Sequence, residues 1–197
     1  MRGVDLLKEW RAARKAMESA DHQVLVSFGV KAADTLLLIG KVRARRDGDL
    51  YVPDTDGSPA FVTPVLVDHV DTPESSCPAQ ATRFGDLVDL VAWDPRHPHA
   101  WALRCGAAEW LGCIEPQYME PPPVLIHSGL LGWLQAGCRG LVLLAHEPAS
   151  QYRLLINIGR VEAADAAHAA ELQGILTRPW PAPTVTIARQ RGVRHAA

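Results

Sequence analysis

The sequence is poor in aromatic residues and cysteine, and it contains no long apolar run. Aromatic residues make up 6% of the 197 residues, and four cysteines are present. No two cysteines have the spacing of a zinc knuckle, and four are too few for a disulfide scaffold. The prominent uncharged apolar runs, 35–40 and 140–145, are far shorter than the roughly 20 residues of a membrane helix. These absences exclude a small disulfide-stapled protein and a membrane-spanning helix. The charged N-terminus does not resemble a signal peptide, so we expect a cytoplasmic chain with reduced thiols.

The motifs of common nucleotide-binding and hydrolytic enzymes are also missing. There is no Walker loop, dinucleotide fingerprint, HExxH pair or GxSxG elbow, and the eight histidines show no zinc-ligand spacing. The turn at 137–140 is too short to wrap a phosphate. The sequence therefore gives no sign of an ATPase, a Rossmann enzyme or a zinc protease. The roles of its notable histidines stay open; these are His97, His99, His127 and His168.

The overall composition is that of a folded protein without a strong electric field. Hydrophobic residues make up 48% and charged residues 21%, and the formal net charge is −2. We therefore predict one domain over 1–197, made of a helix and sheet at 1–70, an α/β half at 85–178 and a proline-rich basic tail at 179–197. The near-neutral total does not point to nucleic acid, and we expect no membrane partner.

The first part of the chain reads as a helix followed by short strands. Apolar spacing predicts a helix over 3–20. β-rich runs follow at 24–28 and 35–39, although a turn of helix near 30–37 is an alternative. Further strands are predicted at 40–46, 50–52 and 60–67, where Pro64 indicates an edge or a bulge. Together these runs predict an antiparallel meander.

The second part reads as layers of helices and strands, which gives an α+β class overall. A long loop over 71–85 precedes it. Its predicted strands are 87–93, 124–126 and 140–145, and its predicted helices are 98–112, 129–136, 148–158 and 161–177. His168 is expected to face the core of the last helix.

Four acidic residues follow strands or begin loops in this pattern. They are Asp68, Asp71, Asp94 and Glu147. Carboxylates that converge at strand ends could hold Mg²⁺ for phosphoryl transfer. An acid directly before a helix-opening proline is also what helix capping requires, and this structural interpretation is the alternative for Asp94 and Glu147.

Basic residues form two clusters. The first is the alternating run with Lys41, Arg43 and Arg45, followed by Arg46; the second, in the tail, contains Arg189, Arg191 and Arg194. On a strand, alternate residues share one face at about 6.5 Å spacing, close to that of phosphates along a single nucleic-acid strand. We predict these residues as a nucleic-acid contact, with a solvated strand face as the alternative. Trp180, between two prolines, is expected to hold the tail against the body or a partner.

Part of the chain resembles a known group of proteins. The segments GDLVDLVAWDP (85–95), WALR (101–104), GAAEWLG (106–112) and GWLQAGCRG (132–140) carry the likeness. Over about 85–178 the sequence resembles uncharacterised proteins of proteobacterial prophages and plasmids, often encoded among replication genes. The resemblance implies a mobile-element protein that works near DNA replication, and it implies no activity.

The sequence thus favours a non-catalytic accessory protein that binds a protein or a nucleic acid and needs no cofactor. The rival hypothesis is a divalent-metal nuclease or nucleotidyl transferase that uses the four acids and Mg²⁺. A purely structural homo-oligomer is the third hypothesis.

Overall fold

The computed structural model describes residues 4–31, 33–67, 86–112 and 123–179. Several sequence predictions fall outside these ranges. They concern Asp68, Asp71, the loop 71–85, Trp180, Arg189, Arg191 and Arg194.

The described chain contains six helices and nine strands. The helices are α1 (Leu6–Lys15), α2 (Ser19–Ser27), α3 (Ala33–Leu37), α4 (Leu130–Gln135), α5 (Pro148–Ile158) and α6 (Ala166–Thr177). The strands are β1 (Gly40–Asp47), β2 (Leu50–Pro53), β3 (Ser58–Val67), β4 (Asp86–Asp94), β5 (His97–Leu103), β6 (Trp110–Gly112), β7 (Val124–His127), β8 (Leu141–Leu143) and β9 (Val161–Ala163). This mixture confirms the α+β class.

Strands β1 to β5 form a closed barrel in the order β1-β2-β5-β4-β3. Neighbours are antiparallel except β2 and β5, which are parallel and joined at Leu50 and Leu103. The first three strands are antiparallel, as the sequence predicts, but they do not form a simple meander, because β3 pairs with β1 rather than β2. Pro64 lies beyond the stretch paired with β1, and a register shift follows at Val65 and Leu66. The prediction of a bulge near this proline is confirmed.

The two faces of the barrel carry different residues because side chains alternate along a strand. The inner face combines the larger Tyr51 and Leu90 with small side chains. Val42 lies opposite Ala60 there, and Ala92 lies between its neighbours on β3 and β5. Helix α1 packs against this face with Trp10 and Ala13. A Cβ at Gly40 would lie 2.8 Å from the Ala13 Cβ, so glycine permits this close approach.

The outer face packs on the rest of the chain. Phe61 and Trp93 are cross-strand neighbours there, with ring centroids 5.5 Å apart. They share one buried cluster with Leu25 of α2 and with Trp133 of α4. The same cluster reaches the second sheet, whose order is β6-β8-β7-β9 and whose other residues pack against α5 and α6. The barrel and the second sheet therefore share a core.

The strands predicted at 24–28 and 35–39 are wrong, because these residues lie in or beside helices α2 and α3. The alternative of a helical turn near 30–37 is confirmed by α3. Helix α2 begins with reciprocal hydrogen bonds between Glu18 and Asp21, a capping box that fixes its first turn. The apolar run then places Leu25 inward and leaves Val24 and Val26 exposed. The predicted helix 3–20 is correspondingly two helices, with a break after Lys15.

The helix predicted over 98–112 is also wrong. These residues form β5 and β6, and β5 pairs with β4 through Trp93 opposite Trp101. The Asp94 carboxylate accepts a hydrogen bond from the Arg96 N–H at 3.0 Å, which closes a turn between the two strands instead of capping a helix. At the C-terminal end, 161–163 form β9 before α6 begins.

Other predictions are confirmed. Helix α5 has the predicted bounds, the strand predicted at 140–145 is found as the shorter β8, and His168 faces the core. Trp93 and Trp133 are buried, whereas Trp110 is 36% exposed. Among the described helices, none has the length and apolarity needed to cross a membrane.

Candidate binding groove

A groove of about 350 Å³ lies between α2 and the outer face of the barrel. Its apolar lining comes from three parts of the chain: Val24 and Phe28 of α2, the N-terminal part of β3 around Phe61, and Pro95 in the β4–β5 turn. Val24 is 42% exposed, although apolar side chains of this size are usually buried in a helix that packs on a sheet. This volume is at the lower end of the roughly 300–1,000 Å³ found for ligand sites.

One ion pair lines the groove on the α2 side. The Lys41 ammonium lies 2.8 Å from one Asp21 carboxylate oxygen and 2.9 Å from the other. Burial opposes ionisation of Asp21, but hydrogen bonds from Lys41 and from the Glu18 N–H outweigh it and hold the pKa of Asp21 below its ordinary value. Lys41, predicted to contact nucleic acid, is thus directed to a carboxylate of its own chain.

A second ion pair lines the groove at the β4–β5 turn. The Arg96 guanidinium donates to both oxygens of Asp94, at 2.8 Å from Nη2 and 3.0 Å from Nε. The hydrogen bond from Arg96 lowers the pKa of Asp94, and burial only partly opposes this. Asp94 is therefore ionised and already held by a cation, which is unsuited to a general acid.

Of the four predicted catalytic acids, the structure describes Asp94 and Glu147, whereas Asp68 and Asp71 lie outside the described residues. Glu147 occupies the N-cap position of α5, and its backbone carbonyl accepts from Ser150 and Gln151. The Glu147 side chain makes no capping hydrogen bond, so only its position directly before the helix-opening Pro148 fits the capping interpretation. Within 4–31, 33–67, 86–112 and 123–179, no group of three or more His, Cys, Asp or Glu side chains could hold a metal ion. The Mg²⁺ hypothesis that involves Asp68 and Asp71 stays a prediction.

The basic strand continues from the groove along the outer face. The Arg43 Nε donates to the Thr55 carbonyl at 2.8 Å, and the Arg46 Nε donates to the Gly48 carbonyl at 2.8 Å. The Arg45 Nε lies 3.7 Å from an Asp54 oxygen. One face of β1 carries Lys41, Arg43 and Arg45, because these residues occupy alternate positions of the strand, as the sequence predicts. Arg46 lies on the opposite face.

Sequence reasoning missed Asp21, Val24, Phe28 and Phe61 as parts of the site. The pattern Glu18-x-x-Asp21 departs from the usual Ser/Thr-x-x-Glu/Gln capping box, so no standard capping motif marks the start of α2. The groove itself depends on the pairing of β1 with β3, which sets Lys41 opposite Phe61. Because this pairing is not local, no short motif shows it.

A buried polar network holds the loop after β5. Asp89 is fully buried, and its carboxylate accepts backbone N–H bonds from Leu90, Arg104, Cys105 and Ala107 at 2.7–3.0 Å. Burial raises the pKa of the Cys105 thiol, and the nearby Asp89 charge adds to this effect. Cys105 is therefore protonated and weakly nucleophilic, which favours a structural network over a catalytic one.

The histidines occupy separate structural positions. His97 lies 3.5 Å from Asp94, and the His99 ring contacts the Ser128 carbonyl at 3.1 Å. His127 is buried, and its Nε2–H donates to the Arg139 carbonyl at 2.8 Å. This bond ties β7 to the turn before β8. Burial lowers the pKa of His127, although its hydrogen bond to Arg139 opposes the shift.

We expect the protein to lose stability as the pH falls through about 6.5, the ordinary pKa of histidine. The unfolded chain binds a proton at His127 near that pH, whereas the folded chain keeps this ring neutral until a lower pH. The His127 contribution is therefore fully present above pH 6.5 and falls between there and the lowered pKa. Urea unfolding at about pH 7.5 and about pH 5.5 measures the loss.

The control for this prediction is His99→Gln, because His99 is exposed. His127→Gln should lose less free energy of unfolding between the two pH values than the parent protein, and His99→Gln should lose as much as the parent. An unchanged loss in His127→Gln would show that another group causes the pH dependence.

Comparisons of the chain with protein-family models, with curated proteins and with solved structures give no match. The function is therefore inferred from the geometry of the groove. The resemblance of residues 85–178 to prophage and plasmid proteins stays a prediction.

Proposed function

We propose that this protein is a non-catalytic binding protein, and that a segment of a partner protein inserts an apolar side chain into the groove between α2 and the barrel. The observation that carries the proposal is the apolar lining of this groove, in which Val24 is exposed, Phe28 is half-buried and Phe61 is largely buried. Open apolar surface of this kind is typical of binding sites, because water leaves it when a partner binds.

The charges around the groove support binding rather than catalysis. Each of its carboxylates is hydrogen-bonded to a cation, Asp21 to Lys41 and Asp94 to Arg96. Because both carboxylates are paired with cations, neither is free to act as a general base or as a metal ligand. The two pairs also give the lining two positive and two negative groups. A neutral, partly apolar lining suits a peptide that has an apolar side chain and backbone amides.

The setting that the resemblance implies gives this proposal its context. It would make the protein an accessory component near DNA replication in a mobile element, where it would hold another protein rather than modify a substrate. The predicted nucleic-acid contact of Lys41, Arg43, Arg45 and Arg46 is the competing proposal, and binding measurements separate the two.

The test is a selection of phage-displayed random peptides on the full chain, followed by affinity measurements on the selected sequences. We expect the selected peptides to contain an apolar residue. Their affinity for Val24→Glu should be at least about tenfold lower than for the parent protein, because the glutamate charge would have to be buried at the contact.

Val26→Glu is the matched control. Val26 lies on the same helix and is 47% exposed, but it does not line the groove. We expect the selected peptides to bind Val26→Glu like the parent protein. If they bind Val24→Glu equally well, the groove is not their site and the proposed function is wrong.

A further inference from the structure

The groove opens directly onto the basic face of β1. On the outer face of the barrel, Lys41 lies opposite Phe61 and Arg43 lies opposite Pro59. Further along, Arg45 lies opposite Val52 of β2. The cationic positions are therefore about 6.5 Å apart, which is also the distance between residues i and i+2 of an extended peptide. A segment that leaves the groove along β1 would meet Arg43 first and Arg45 next.

Both Arg43 and Arg45 can bind a carboxylate of another molecule. The contact of the Arg43 Nε is with the Thr55 carbonyl, which orients the guanidinium without neutralising it. Arg45 has a 63% exposed side chain, and its 3.7 Å separation from Asp54 is longer than a charge-assisted hydrogen bond of about 2.7–2.9 Å. Exposed pairs of this kind contribute little, so an incoming carboxylate can replace Asp54.

The surroundings favour a peptide over a nucleic acid. Asp21 and Asp94 line the groove, and Asp54 lies beside Arg45. A strand with a phosphate at every nucleotide would meet these carboxylates as well as the cations. Phe61 is only 9% exposed, so it does not offer an open ring face on which bases could stack. A peptide can place its few carboxylates at the arginines alone.

We infer that the partner segment is an extended acidic peptide with an apolar residue in the groove and carboxylates two and four residues along, opposite Arg43 and Arg45. This inference rests on the proposed function, and it adds the chemistry and register of the partner. Each carboxylate can accept two hydrogen bonds from a guanidinium, which makes the contact directional as well as attractive.

The test uses two fluorescein-labelled peptides of equal composition and the full chain. One has the pattern Leu-x-Glu-x-Glu, and the other has Leu-Glu-x-Glu-x, where x is a small neutral residue. We expect the first peptide to bind at least about fivefold more tightly, and Arg43→Glu to weaken it by about tenfold or more. Arg139→Glu is the matched control, because Arg139 is also exposed and its Nε also donates to a carbonyl.

A charge exchange checks the register. Changing the first Glu of the peptide to Lys should restore binding to Arg43→Glu, and this peptide should bind the parent protein weakly. Equal binding of the two Glu peptides, or a failure of the exchange, overturns the inference. If selected peptides depend on Val24 but not on Arg43, the inference fails while the proposed function stands.

A single-stranded DNA oligonucleotide is the last arm of the experiment. We expect it to bind more weakly than the in-register peptide at the same ionic strength. If it binds more tightly and loses affinity in Arg43→Glu, the basic face is a nucleic-acid contact and the peptide inference is overturned.

Discussion

Asp89→Ala is expected to lower the free energy of unfolding by about 3–5 kcal/mol, a large part of the roughly 5–15 kcal/mol that stabilises a typical domain. The carboxylate accepts four backbone N–H bonds, three of them from residues 104–107. Alanine leaves these donors facing a buried space without an acceptor. Chemical denaturation followed by the fluorescence of the buried Trp93 and Trp133 measures the change.

Asp89→Ala is also expected to weaken an ion pair that joins the end of β5 to α1. Arg104 follows β5, and its guanidinium donates to both carboxylate oxygens of Glu9 in α1, at 2.7 and 3.0 Å. Asp89 fixes the backbone of Arg104 and therefore positions this pair. The control is Asp165→Ala, which removes an exposed carboxylate with one backbone bond at the start of α6 and should lose about 1 kcal/mol. Equal losses in the two variants would contradict the role given to Asp89.

Gly140→Ala is expected to lose about 3–5 kcal/mol as well, because two separate costs combine at this position. Its φ is +81°, in the region that glycine adopts most readily. A Cβ there would also lie 2.3 Å from the Leu125 carbonyl oxygen, which belongs to β7. Backbone of a buried sheet cannot move aside as a side chain can. Chemical denaturation of the purified variant measures the loss.

Gly159→Ala separates the two costs. Gly159 has a φ of +82°, and a Cβ added there would meet nothing within 4 Å. This variant should therefore lose only the conformational part, about 1–3 kcal/mol. If Gly140→Ala and Gly159→Ala lose the same free energy, the contact with Leu125 does not contribute.

The parts of the fold that were predictable are those fixed by local chemistry. Helix α5 was predicted at its observed bounds because an acid and then a proline precede a helical pattern. Gly137 follows α4 with a φ of +68°, the conformation in which glycine commonly ends a helix, and a glycine at this position is a local signal. The alternating basic residues of β1 gave the correct strand and the correct shared face.

The parts that were missed depend on distant partners. Residues 98–112 contain apolar positions that fit a helix, but the hydrogen-bonded pairing of β5 with β4 stabilises a strand there instead. Strand-like residues in α2 are overridden by the capping box and by the packing of Leu25 against the barrel. Asp89 was visible as a charge inside an apolar strand, and this is the signal that marks a buried network.

The candidate site was predictable only in fragments. Lys41 and Asp94 were both singled out from the sequence, for two different functions, and they line the same groove. Each has a partner that the sequence did not indicate, Asp21 for Lys41 and Arg96 for Asp94. Charged residues without an opposite charge nearby in sequence often form ion pairs once strands are paired. The electrostatic potential expected from the sequence is therefore larger than that of the folded surface.

The inner face of the barrel leaves little room for a ligand. The small Ala92 and Ala102 lie there beside the larger Tyr51 and Leu90. Trp10 of α1 packs against the same cluster. Enlarging an alanine would overpack this interior, and truncating a large residue would leave a cavity that destabilises the fold. Changes of ligand specificity are therefore expected to cost least stability on the outside of the barrel, where α2 and the β4–β5 turn carry exposed side chains.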